Sequence, residues 1–204
     1  MNRKIKYNLK AKMNDDSEDE EDDTGDEYIK RINNDIYFYS EVTTKSILTL
    51  NTMLKNIETE SLITSIKLQI EPPPVRIHIC SDGGEVFAAL SAVDTIINCK
   101  IPVNSIVEGS AASAATLISV VCDHRSITKH GHMLIHQLSS GSFWGKMNEI
   151  EDEMHNLNKT MDVIKKIYVD HSKIEARKLG DILRKDLLWC STKCKKMGLI
   201  DNIL

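Results

Sequence analysis

Apolar residues along most of this chain follow one of two rhythms, and the alternation between them sketches a fold. Ile36-Tyr-Phe-Tyr39 is a short apolar run that predicts a strand, and apolar residues from Ile47 to Ile57 recur at helical intervals. Pro72-Pro73-Pro74 blocks a helix and forces an extended approach to Val75, Ile77 and Ile79, which alternate with Arg76 and His78. That strand ends at Ser81-Asp82-Gly83-Gly84, and a helix is predicted over Val86 to Asn98. Ile101 to Val107 reads as a second such strand, with Gly109 opening a second helix. Two successive strand, glycine turn and helix units predict an α/β fold with parallel strands and right-handed crossovers. Short strands are expected at Arg125–Thr128 and Met133–His136.

A long helix follows, about Lys146 to Val169. Its apolar residues, Met147, Ile150, Met154, Leu157, Met161, Ile164 and Tyr168, are spaced alternately by three and four. So narrow a seam fits a helix that leaves its domain to pair with another helix; an amphipathic helix packed on its own core fits it equally. No internal repeat is visible.

Charge changes the picture at one end. Between Asp15 and Glu27, ten of thirteen residues are acidic, and outside that window 26 basic residues face 20 acidic ones, a surplus of +6. Residues 1–30 are too polar to offset the entropy of ordering, so a disordered acidic tail is expected there, with one domain over 31–204. No apolar run reaches the 18 or more residues of a membrane span, and the N-terminus lacks the apolar core of a secretory signal. Five cysteines, at 80, 99, 122, 190 and 194, form no C-x-x-C pair, which is the usage of a reducing cytoplasmic compartment and gives no zinc framework. The basic cluster Lys193, Lys195 and Lys196 is too small, and too poor in aromatic neighbours, to predict nucleic-acid binding.

Candidate chemistry centres on Gly109-Ser-Ala-Ala-Ser113-Ala-Ala115. Small residues on both sides of Ser113 allow a sharp turn into a helix and leave its hydroxyl unshielded, although a close-packed Ala/Ser helix has the same composition. Gly83-Gly84 closes the preceding strand, where an amide can approach a developing oxyanion with no side chain in the way; a tight turn alone would also use glycine. His136 ends the apolar run Met133-Leu-Ile135, in competition with six other histidines, and Asp186 lies in a charged stretch before Leu187. A serine nucleophile needs a base, and the base needs a partner fixing its tautomer. The chain supplies all three residue types, but spacing does not bring them together.

Four stretches, taken in order, resemble the proteolytic subunit of the Clp protease family. Val75-Arg-Ile-His-Ile-Cys-Ser-Asp-Gly-Gly84 is similar to its strand and Ser-Pro-Gly-Gly turn. Gly109-Ser-Ala-Ala-Ser113-Ala and Met133-Leu-Ile-His136-Gln are similar to the motifs of its catalytic serine and histidine. Arg184-Lys-Asp186, followed by a helix and Gly198-Leu-Ile-Asp201, is similar to the segment of its catalytic aspartate. The likeness spans roughly Ile36 to Leu204. It implies a crotonase-like ββα superhelix with a protruding handle helix, the handle covering about 138–169. It further implies a serine endopeptidase with Ser113, His136 and Asp186 as triad and the amides of Gly84 and Ala114 as oxyanion hole. Two stacked seven-membered rings would form a closed chamber for unfolded protein substrates. No metal or organic cofactor is implied, ATP being used only by a partner AAA+ unfoldase. Asp82 and Leu138 replace prolines of the family pattern, Arg184 replaces an acidic residue that helps couple the rings, and the acidic tail stands where axial loops engage the unfoldase. A catalytically silent ring subunit is the alternative these departures favour, and an acyl-CoA enzyme on the same scaffold is a third reading.

Overall fold

The structure is a computed structural model that describes residues 28–141 and 144–204. The acidic tail expected over 1–30 lies outside the described residues up to residue 27, but its last residues belong to the fold. Strand β1 (Ile29–Ile32) pairs antiparallel with β2 (Asp35–Phe38) through a tight turn in which Asn33 takes a left-handed φ of 55°. Ile29 is 5% exposed, so the folded part begins a little before residue 30.

Helix α1 (Thr44–Leu68) starts at a reciprocal cap between Thr43 and Ser46 and buries the stripe Ile47, Leu50, Leu54 and Ile57. It runs eleven residues past the predicted end and stops where Gln69 turns left-handed ahead of the prolines. Strand β3 (Val75–Ser81) alternates as its sequence predicts, with Val75, Ile77 and Ile79 fully buried. Helix α2 (Val86–Ile97) follows, then β4 (Val103–Ala112), α3 (Ala114–Val120), β5 (His124–Ile127) and β6 (His132–Leu134). The long helix α4 (Met147–His171) precedes α5 (Ala176–Leu183), β7 (Trp189–Cys190), α6 (Ser191–Met197) and β8 (Asn202–Ile203).

The sheet runs β1-β2-β3-β4-β5-β8, parallel from β2 onward, with β6 parallel to β4 and β7 antiparallel to β6. The α/β class with parallel strands is therefore observed. Gly109 does not open a helix. The pairing of β3 with β4 jumps from Ile79 with Val107 to Ser81 with Ala111, so β4 bulges around Gly109 at φ 73° and continues to Ala112. The bulge splits the strand's partners: Asn104–Val107 pair with β5, and Ser110–Ala112 pair with β6. This fork carries Ser113 to the carboxyl end of the sheet and sets β6 beside it.

The seam of α4 divides into two parts. Ile164 and Tyr168 are buried in the core, whereas Met147, Ile150 and Met154 are 71%, 40% and 56% exposed. The reading of a helix packed on its own core therefore holds for the C-terminal half, while the N-terminal half leaves its apolar edge exposed. At the C-terminus, Arg125 pairs with Asp201 at 2.7 Å and reaches the carbonyls of Val120, His171 and Gly198, tying β5, α3, α4 and the chain end together. Among the described residues, no helix is long and apolar enough to cross a membrane.

Candidate active site

Ser113 joins β4 to α3 in a conformation that a side chain rarely adopts, φ 53° and ψ −126°. Such a backbone costs about 1–3 kcal/mol and persists only where neighbours fix it. Here they do. The Ser113 amide donates to the Leu134 carbonyl at 2.8 Å, and the Ser113 carbonyl accepts from the Thr116 amide at 3.0 Å and from Thr116 Oγ1 at 2.6 Å. All seven residues of α3 are buried, which the small Ala114 and Ala115 permit. A serine preceding a helix would ordinarily cap it with its own hydroxyl. Ser113 makes no such cap, and its Oγ lies 2.7 Å from His136 Nε2.

His136 follows β6 and is anchored by its neighbour, since the Gln137 amide donates to the Leu183 carbonyl at the end of α5 at 2.7 Å. The turn after α5 brings Asp186 Oδ1 to 3.5 Å from His136 Nδ1. That is longer than an ordinary N–H···O hydrogen bond of about 2.7–3.2 Å. The Asp186 side chain is 77% exposed and that of His136 is 21% exposed, so water competes for the carboxylate but little for the imidazole. The three residues that spacing alone could not connect are thus adjacent. Three of the six competing histidines have partners elsewhere: His78 lies between Asp35 and Glu108, His124 contacts Asn202, and His132 contacts the His130 carbonyl.

Gly83 and Gly84 sit against the same turn, with φ of 96° and 145°. Val42 holds them in place: its amide donates to the Gly83 carbonyl and its carbonyl accepts from the Glu85 amide, both at 2.7 Å. A methyl group on Gly83 would come within 2.7 Å of the Ala112 oxygen and of Ser113 Cβ, and within 3.0 Å of the Ala114 nitrogen. Gly83 is therefore what lets the two turns approach, a role distinct from the oxyanion-facing amide and the tight turn that the sequence suggested for the Gly-Gly pair. The Ala114 amide is the first of α3 and has no acceptor within its own helix.

Two clefts meet at Ser113 and His136. One, of about 680 Å³, is bordered by Tyr39, Glu41, Cys80, Asp82 and Ser110. Burial raises the Tyr39 phenol above its ordinary pKa, and its hydroxyl donates to Glu108. The other, of about 190 Å³, is smaller, with Val86, Leu117, Leu138 and Ile164 among its walls. Gly84 borders both. Ser139 borders both as well. Among the described residues, no group of three or more His, Cys, Asp or Glu side chains is arranged to hold a metal ion.

Comparison with known proteins gives a consistent result. A family model described as Clp protease matches residues 30–204. The ATP-dependent Clp protease proteolytic subunit of Deinococcus radiodurans is 27% identical over 171 residues, which is 81% of this chain and 83% of that protein. The protein of the same description from Leuconostoc citreum is 32% identical over 155 residues, 71% of this chain and 78% of its own length.

Proposed function

Because this chain belongs to the Clp protease family, we propose that it is a proteolytic subunit that cleaves peptide bonds as a serine endopeptidase. The observation that carries this reading is the 2.7 Å contact between Ser113 Oγ and His136 Nε2 at a strained turn. In this mechanism His136 takes the hydroxyl proton as Ser113 Oγ attacks the scissile carbonyl carbon, giving a tetrahedral intermediate. The amides of Gly84 and Ala114 donate to its oxyanion, which is where preorganised donors have most effect. His136 then passes its proton to the departing amine, leaving an acyl-enzyme on Ser113. A water molecule, deprotonated by His136, attacks that ester and restores the serine. Asp186 holds the imidazole in the tautomer with hydrogen on Nδ1 and stabilises the imidazolium.

The rest of the reading follows the family. The fold is the crotonase-like superhelix, with α4 as the handle between two stacked heptameric rings. A separate AAA+ unfoldase spends the ATP and feeds unfolded protein into the chamber, so the peptidase itself requires no cofactor. Its compartment is the reducing cytoplasm, in keeping with five free cysteines.

The test is labelling with a fluorophosphonate, with intact mass and peptide mapping of the adduct. The expected result is one adduct per chain, on Ser113, absent from Ser113→Ala, which should also lose about three to six orders of magnitude in peptide turnover. Absence of label from the assembled parent, or cleavage by Ser113→Ala at the parent rate, would refute the assignment.

A further inference from the structure

The Ser113 carbonyl is held by a relay that begins on the long helix. Thr116 Oγ1 donates to that carbonyl at 2.6 Å, and Tyr168 Oη lies 2.5 Å from Thr116 Oγ1. The Thr116 hydroxyl has one proton, and the carbonyl can only accept. The arrangement that keeps both contacts as hydrogen bonds therefore has Tyr168 donating to Thr116, and Thr116 donating to Ser113. Tyr168 is 2% exposed and Thr116 is fully buried. Burial raises the phenol's pKa, which keeps it a donor at any pH near neutral. Two hydroxyls in an otherwise apolar setting cost free energy unless they are paired, and this pair ends on one acceptor.

That acceptor matters because of the rigidity of the peptide unit. The carbonyl of Ser113 and the amide N–H of Ala114 belong to one plane and point in opposite directions. Holding the oxygen fixes the direction of the hydrogen. Ser113 cannot supply this restraint itself, since its hydroxyl is turned to His136 instead of capping α3. We propose that Tyr168 and Thr116 are positioning residues that pin the Ser113–Ala114 peptide plane, so that the Ala114 amide faces the developing oxyanion. This inference rests on the reading of Ser113 as nucleophile, and it adds two residues that no motif around that serine includes.

A misaimed oxyanion donor weakens binding of the transition state and leaves binding of the ground state alone. Losing one such donor outright costs about 10²–10³ in kcat. Loosening it through Tyr168→Phe or Thr116→Val should cost about tenfold in kcat, with KM unchanged, and about tenfold in the rate of fluorophosphonate labelling. Rates are taken per titrated Ser113 on the assembled full chain with a short fluorogenic peptide. Because the two hydroxyls act in series, the double variant should fall within about twofold of Thr116→Val alone, and Thr116→Ser should restore the parent rate. A purely structural role would lower Tm or the fraction of labelled sites and leave kcat per site unchanged; that result overturns the proposal. So does a double variant whose loss is the product of the single losses. If Tyr168→Phe fails to fold, the Val and Ser variants of Thr116 decide the question by the same readings. A parent that takes no label on Ser113 refutes the nucleophile and this inference together, whereas a labelled parent with unaffected variants refutes only this inference.

Discussion

Replacing Gly83 by alanine tests whether the approach of two turns, and not glycine flexibility alone, sets the geometry at Ser113. The added methyl would lie 2.7 Å from both the Ala112 oxygen and Ser113 Cβ. Ordinary contact begins near 3.4 Å, so about 0.7 Å must be found, and the groups in the way are the backbone and Cβ of the turn at Ser113. Alanine at the observed φ of 96° adds about 1–3 kcal/mol of backbone strain. For a domain of this size each kcal/mol moves Tm by about 2–4 °C, so a fall of about 5–10 °C is expected. The catalytic effect should be larger. A displacement approaching 1 Å at reacting groups can cost about 10²-fold, and kcat per labelled Ser113 should fall by about 10- to 100-fold. The assay pairs a thermal melt with peptide turnover normalised to fluorophosphonate uptake. A folded Gly83→Ala protein with kcat within twofold of the parent would refute the reasoning, because the clash would then have been relieved away from Ser113.

Two further outcomes follow from the structure. Gly180 lies inside α5 without a positive φ, and a methyl group added there would meet no heavy atom within 4 Å, so Gly180→Ala should stabilise the helix by about 1 kcal/mol and raise Tm by about 2–4 °C. A lower Tm would show that this glycine serves something other than the helix. Acid should unfold the protein through three carboxylates. Arg76 holds Asp35 below its usual pKa, and Arg125 does so for Asp201. Burial pushes Glu58 upward, but its hydrogen bonds from Lys55 and the Lys100 amide outweigh that and leave it lowered. Each carboxyl binds its proton more weakly folded than unfolded, so its contribution is whole above about pH 5 and is lost as pH falls through the unfolded and then the folded pKa. The urea midpoint should be flat from pH 7 to 5 and drop below pH 4, and Asp35→Asn should shrink the drop; a midpoint unchanged at pH 3 would contradict the assignment.

How much of this was legible in the sequence depends on whether the determinant was local. Val75, Ile77 and Ile79 alternate because one face of β3 is buried, and the pattern of Ile47, Leu50, Leu54 and Ile57 records one face of α1. Both were readable. Gly109 was misread because a bulge and a helix start use the same residue, and only the register against β3 separates them. Strand β1 went unseen because Ile29 and Ile32 flank charged Lys30 and Arg31 in a segment adjoining the acidic run; its partner β2, and not its own composition, makes it a strand. The turn at Ser113 could be located from its small residues. The choice of His136 over its competitors came through the likeness of Met133-Leu-Ile-His136-Gln to a family motif and not from spacing, since it depends on where β6 leaves the fork in β4. Thr116 and Tyr168 are 52 residues apart, and each is unremarkable in its own helix.

The helix α4 shows why one periodicity supported two readings. Its seam is continuous in sequence, yet only the end carrying Ile164 and Tyr168 meets the domain. At about 1.5 Å per residue, Met154 stands roughly 20 Å from Tyr168 along the helix, and Met147 roughly 30 Å. No stripe of apolar residues can announce where along such a length the domain ends, because packing on a neighbour and packing on one's own core demand the same spacing. What distinguishes the two halves is polar. The buried half carries a phenol that meets Thr116, beneath the turn at Ser113. The same rigid rod therefore presents an apolar edge outside the domain and a hydrogen-bond donor inside it, so the position of the Ser113 carbonyl is referred to an element that extends well beyond the cleft.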